Sequence, residues 1–117
     1  MTAQSGALEA IDRILNRGGD ADDVLREVVA ALHEHAGYAW AGILFVEGDT
    51  LALGPEAGAE RAEERTRLPV SYRGERVAEL AVDGAHDADR PFLERVATLI
   101  SAYCLVGWDT GGEGWSP

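Results

Sequence analysis

The sequence predicts an α+β domain, one antiparallel sheet of four or five strands with helices laid against it. Three stretches predict this. AWAGILFVEG, residues 39 to 48, is apolar on both of its alternating sets, Ala39, Ala41, Ile43, Phe45 and Trp40, Gly42, Leu44, Val46. RLPVSYRGERVAELAVDG, residues 67 to 84, holds two alternating runs that meet at a tight Arg73-Gly74-Glu75 turn. DRPFLERVATLISAYCLV, residues 89 to 106, reads as one long helix, apolar nearly all round in its last turns.

Taken in order, Ala7, Leu8, Ile11, Ile14 and Leu15 recur at helical spacing and predict a helix over residues 5 to 17. Gly18-Gly19 ends it. Asp20 is a natural N-cap for a second helix, with Asp22 and Asp23 in the first turn, where the helix dipole favours anions. Val24, Leu25, Val28, Val29 and Leu32 give that helix a buried face, and Gly37 stops it. Residues 39 to 48 could by periodicity be strand or helix. Their length, β-branched and aromatic content and flanking glycines favour a strand covered on both faces, hence central. Gly48-Asp49 turns it into a second strand over residues 50 to 54.

The interval PEAGAERAEERT, residues 55 to 66, is polar, with room for a short helical turn around Ala57, Arg61 and Ala62. In the next strand Leu68, Val70 and Tyr72 alternate with Pro69 and Ser71. Proline cannot donate to a ladder, so this strand belongs at an edge or carries a bulge. Arg76 to Asp83 follows, with Ala78, Leu80 and Val82 on one face and Val77, Glu79 and Ala81 on the other. Asp87 or Asp89 caps the last helix, and Pro91 suits its first turn. Gly107 or Gly111-Gly112 ends that helix; residues 107 to 117 are the C-terminal tail, frayed over GEGWSP.

A chain of 117 residues makes one domain and can bury roughly two thirds of the surface its unfolded form exposes. Its single cysteine, Cys104, excludes an internal disulfide and fits a reducing, cytoplasmic setting. The N-terminus has neither the basic start nor the apolar run of a signal peptide, and the longest apolar region is too short to span a bilayer. With 21 acidic side chains against 10 basic ones, all arginine, the net charge is −11. Such a surface repels phosphate backbones and anionic lipid, which argues against nucleic acid and membrane as partners.

Leu68-Pro69-Val70 resembles the valine-proline-isoleucine strand of GAF domains. Arg73 to Val82 resembles the turn and strand that follow it there, and Phe92, Leu93, Val96, Leu99, Ile100 and Ala102 resemble the family's closing helix. The likeness covers most of residues 7 to 106. It implies a sheet in the order 2-1-4-3, with the N-terminal helices and the C-terminal helix packed on one face. The chain allows this: twelve residues between Gly54 and Arg67 reach ~40 Å when extended, and crossing the sheet needs ~15 Å. A PAS or roadblock-like domain is the alternative fold. The departure from the family is the same interval. In ligand-binding GAF domains it is long and supplies an extra strand and a lid; twelve polar residues leave little for a closed pocket.

Some GAF-like proteins are free methionine-R-sulfoxide reductases, with cysteines in the lid and adjoining strands. This chain has none there, and Cys104, inside an apolar helix, reads as a buried structural residue. His33 and His35, two apart on a helix, point about 200° apart and cannot chelate together. His86 stands alone, so no metal site and no cofactor motif is read. Glu60, Glu63 and Glu64 with Arg61 and Arg65 read as a solvated charge cluster. Glu79, mid-strand on the face away from the helices, is the carboxylate of interest. With Ser71 and an aromatic wall from Trp40 or Tyr72, it could contact a ligand on that free face; an ordinary solvent-facing polar residue is the simpler alternative.

The sequence therefore supports a non-enzymatic GAF-like signalling or regulatory domain that binds a small molecule on the free face and works with a signalling protein partner. A dimerisation or interaction module with no ligand is the alternative, and a reductase-like enzyme the third reading. The closing helix is apolar over nearly its whole circumference, wider than the stripe one packed face requires. A homodimer through Val96, Ile100, Tyr103 and Cys104, with Trp108 beside them, is expected on that ground.

Overall fold

The computed structural model describes residues 3–107. Two helices, α1 (Ala3–Arg17) and α2 (Ala21–Glu34), lead into the hairpin of β1 (Trp40–Glu47) and β2 (Thr50–Gly58). A 3-10 turn (Ala62–Glu64) precedes the second hairpin, β3 (Arg65–Tyr72) and β4 (Glu75–Asp83). Another short turn (Asp87–Asp89), α3 (Arg90–Ile100) and a 3-10 segment (Ser101–Gly107) close the described chain. The sheet is antiparallel, in the order β2-β1-β4-β3. β1 is central and β3, with Pro69, lies at an edge, as the proline requires. A bulge also falls between Val70 and Ser71.

One face of the sheet carries Ala41, Ile43, Leu68, Val70, Ala78, Leu80 and Val82, all fully or nearly fully buried. α2 lies over β1 and β2, α3 lies over β3, and the last 3-10 segment fits between α2 and the β3–β4 half. α1 packs on α2 through Ala7, Ala10, Ile11 and Ile14. Tyr38 joins the layers: its hydroxyl donates to Asp89 Oδ2 at 3.1 Å, and Gln4 Nε2 reaches the other oxygen at 2.6 Å. Burial, reinforced by the Asp89 charge, raises the Tyr38 phenol well above its ordinary range. Among the described residues no helix is long and apolar enough to cross a membrane.

Four local features differ from the sequence reading, each with a physical reason. β2 runs on through Pro55 to Gly58, because a bulge sets Gly54 and Pro55 opposite Ile43 on an edge strand, where a missing N–H is tolerated. Gly54 is needed there; a Cβ would lie 2.3 Å from the Phe45 ring. Asp20 holds the N-cap position of α2, yet its side chain makes no capping bond, and Asp22 and Asp23 pair with Arg26. The closing helix stops being α-helical after Ile100. The Thr98 carbonyl there accepts both the Ser101 N–H and the Ser101 hydroxyl (2.9 Å), which tightens the turn to 3-10.

The fourth difference concerns pairing. Val96, Ile100 and Cys104 are fully buried in the chain's own core, so they are core positions and not an exposed seam. α3 and the 3-10 segment meet β3, β4 and α2 together, which accounts for the buried part of the apolar arc; Leu99 and Tyr103 stay half-buried and Ala102 exposed. Of the four expected interface residues only Tyr103 is half-buried. Trp108 and the expected frayed tail lie outside the described residues.

Candidate functional site

The face away from the helices is set by strand register. Gly58, Trp40, Asp83 and Arg65 stand side by side across the four strands. Glu56, Gly42, Ala81 and Arg67 form the next row on this face, and Leu53, Leu44, Glu79 and Pro69 the one after. Among the described residues no helix covers this face, yet Trp40 is only 1% exposed and Asp83 is fully buried. Their cover comes from neighbouring side chains and from the short crossover, Ala59 to Glu64, that carries the chain from one sheet edge to the other.

Trp40 lies along the sheet over Gly42. A Cβ on Gly42 would fall 2.4 Å from the indole, so only glycine lets the ring lie flat against the strand. The indole Nε1 donates to Glu56 Oε1 at 2.8 Å. Above the ring sits the Arg65 guanidinium, 4.1 Å from the centroid, a cation–π stack. Arg65 Nε and Nη2 donate to the two oxygens of Asp83 at 2.7 and 2.9 Å, and Nη2 also reaches Glu60 Oε1 at 2.9 Å.

Asp83 also accepts the backbone N–H of Arg61 at 2.6 Å. The crossover is tied down at both ends as well, by Ala59 N–H to Ala39 O (2.9 Å) and by Gly84 N–H to Glu64 O (3.1 Å). The Arg65 hydrogen bonds hold the Asp83 carboxyl below its usual range against the opposing effect of burial, with the Arg61 N–H adding to them. The same contacts raise Arg65 further above its already high value. Both groups are charged at any ordinary pH.

Of the four expected ligand residues, Trp40, Glu79 and Ser71 stand on this face, Ser71 two residues beyond Pro69 and opposite Arg76, far from Trp40, and Tyr72 does not join them. Glu79 is held by Arg67 Nη1 (3.0 Å) and Arg76 Nη2 (2.7 Å), two half-exposed arginines. Ser71 lies at the outer edge of β3, in a cleft of about 300 Å³ shared with Arg90, Glu94, Ala97 and Thr98 of α3. Tyr72 packs half-buried against the core, with Arg73 over its ring. A second cleft, about 260 Å³, lies at the β1–β2 turn between Val46, Leu51 and Arg76.

Sequence reasoning missed Arg65, Asp83 and Glu56, and it read Arg65 and Glu60 as solvated. Arg65 is in fact mostly covered, and it joins the crossover to the sheet. The available signal was period-two alternation, which puts Arg65 and Arg67 on the same face as Pro69. Cys104 is fully buried, and burial pushes its thiol up to about 12, so it offers no thiolate near neutral pH. His33 Nδ1 faces the Tyr38 carbonyl at 2.7 Å, and His35 and His86 are exposed elsewhere. Among the described residues the one convergent trio of potential metal ligands is Asp20, Asp22 and Asp23, on the surface beside Arg26.

No protein-family model matches the sequence, and no curated protein matches it. Solved structures do match its fold. The GAF domain of a phosphoenolpyruvate-protein phosphotransferase (ptsP) from Coxiella burnetii superposes with a TM-score of 0.73 at 11% identity, over 94% of this chain and 99% of that one. The A. aeolicus nlh2 GAF domain in an inactive state gives 0.71 at 12% identity, over 86% and 94%. A free methionine-R-sulfoxide reductase from Neisseria meningitidis, in complex with its substrate, gives 0.71 at 15% identity, over 89% and 91%. The fold is GAF-like; identities this low carry the fold and nothing further.

Proposed function

We propose that the chain is a non-enzymatic, cytoplasmic regulatory domain of GAF type that acts through contact with a protein partner. One observation carries this reading. The end of the sheet face built around Trp40 is filled by the chain's own Arg65, which Asp83 and Glu60 lock in place. Arg65 fills the ground that a bound small molecule would need. The GAF-like neighbours come from a phosphotransferase and a methyl-accepting chemotaxis protein, which suits a regulatory part. The net charge of −11 suits a protein partner better than nucleic acid or membrane.

Reductase chemistry has no support in the thiol. Cys104 is buried in the helical layer, and the free face offers arginine and carboxylate in place of sulfur. The purified protein, given free methionine-R-sulfoxide and a thiol reductant, should show no turnover and no rise in melting temperature. Turnover that disappears in Cys104→Ser would overturn the reading.

A second reading, a small molecule at the Glu79 end, is favoured by one observation. Leu53 is half exposed there, and the 260 Å³ cleft joins Val46 and Leu51 to the Arg76 guanidinium. A ligand at that end would raise the melting temperature of the wild type, and Arg76→Ala would abolish the rise.

A further inference from the structure

The Arg65 pocket has the make-up of a recognition site. Its floor is an aromatic face held flat over Gly42, and its wall is a buried carboxylate that cannot rotate away, since the Arg61 N–H and the guanidinium share its oxygens. A second carboxylate, Glu60, stands half exposed at the mouth, and Glu56 fixes the indole N–H. Flat stacking plus a two-pronged carboxylate contact suits a planar guanidinium. A spherical ammonium can satisfy the charge but neither the fork nor the stack.

We propose that Trp40, Asp83, Glu60 and Glu56 form a guanidinium-binding site which Arg65 occupies in the free chain, and for which a small guanidinium compound in solution competes. This goes beyond the functional reading and does not require it: it names the class of ligand that could take the ground Arg65 fills. Exchange keeps the charge in the site constant, so Asp83 is never left buried and unpaired, the state that would otherwise forbid release of Arg65. Arg65 is the first residue of β3 and Glu60 sits on the crossover, so exchange loosens the crossover without touching the core. The acidic surface concentrates cations around the molecule. The tethered side chain is a strong competitor, with an effective concentration of about millimolar or more, so the wild type binds weakly and removal of Arg65 exposes the full affinity.

The test is chemical rescue. Arg65→Ala should melt lower than the wild type, and methylguanidinium at millimolar concentration should restore the loss saturably. Methylammonium, or sodium chloride at equal ionic strength, should not. In the wild type, nitrogen–proton correlation spectra should show the Trp40 indole N–H and the Arg65 Nε–H shifting together with methylguanidinium, with an apparent affinity at least about tenfold weaker than in the Ala variant. A folded Arg65→Ala protein that binds no methylguanidinium, or is rescued equally by methylammonium, overturns the assignment. Should the Ala variant not fold, the wild-type titration decides alone: coupled shifts support the site, and immobile peaks overturn it. Methionine sulfoxide turnover would break the functional reading without moving these peaks, so the two failures are distinguishable.

Discussion

Asp83→Asn isolates the contact on which the free face depends. Asparagine keeps the shape and one acceptor oxygen, so the Arg61 N–H can stay satisfied, but the charge and the second acceptor are lost. Arg65 then loses half of a bidentate, charge-assisted pair in a covered position. A hydrogen bond to a charged group contributes ~1.5–3 kcal/mol, and Glu60 still holds Nη2, so a loss of about 2–3 kcal/mol is expected. For a chain of this size that lowers the melting temperature by roughly 8–12 °C at neutral pH. The pH dependence gives a second check. The folded pKa of Asp83 lies below its unfolded value of ~3.9, so its contribution is complete above that pH and fades as pH falls through the folded pKa. Thermal melts followed by circular dichroism should show the wild type and the variant well apart at neutral pH and converging in acid. Equal melting temperatures at neutral pH, or a gap that persists unchanged in acid, would refute the reasoning.

Gly42→Ala should displace the Trp40 indole, since the added carbon would meet it at 2.4 Å, costing ~1–3 kcal/mol and moving the Trp40 N–H resonance; a native melt would count against the stacking. Cys104→Ser places a hydroxyl in an apolar site and should cost ~1–3 kcal/mol. The native Cys104 thiol should resist an aromatic disulfide reagent until denaturant is added, and rapid labelling of folded protein would show the burial to be wrong. Ile100→Asp should unfold the chain, because Ile100 faces its own core; soluble folded protein would reopen pairing through that helix.

Much of the fold was legible because the deciding signals were local. The doubly apolar run from Ala39 places β1 in the centre, and Pro69 sends β3 to an edge. Arg73 and Gly74, with φ of 54° and 81°, make the left-handed turn that Arg-Gly between alternating runs suggests. The site was less legible because it depends on register. Arg65 and Asp83 are 18 positions apart, and nothing local says that they become neighbours on adjacent strands. The wide apolar arc of the closing helix was visible, but its cause was not. A closing segment that meets β3, β4 and α2 in turn needs a broad apolar surface of its own, so breadth alone does not point to a second copy.

The length of the crossover ties these features together. From β2 to β3 the chain must pass β1 and β4, three strand spacings or ~14 Å, and the residues from Ala59 to Glu64 reach at most ~22 Å. So short a connection cannot rise into a lid, and it stays close to the sheet end. Its backbone groups then need partners there, which Ala39, Asp83 and Gly84 provide. A buried Asp83 in turn needs a cation, and Arg65 at the start of β3 is placed to supply it and to land on Trp40. A Gly-Ser-Gly-Ser insert after Glu63 should therefore act on the face more than on the fold. Lengthening a loop costs only ~0.6 kcal/mol per doubling, so the melting temperature should fall little. The Arg61 N–H bond to Asp83 should weaken, and the Trp40 indole N–H should exchange with solvent much faster than in the wild type. Unchanged protection of that N–H would mean that Arg65 and Asp83 hold the face without help from the crossover, and the link between its length and the closed face would be wrong.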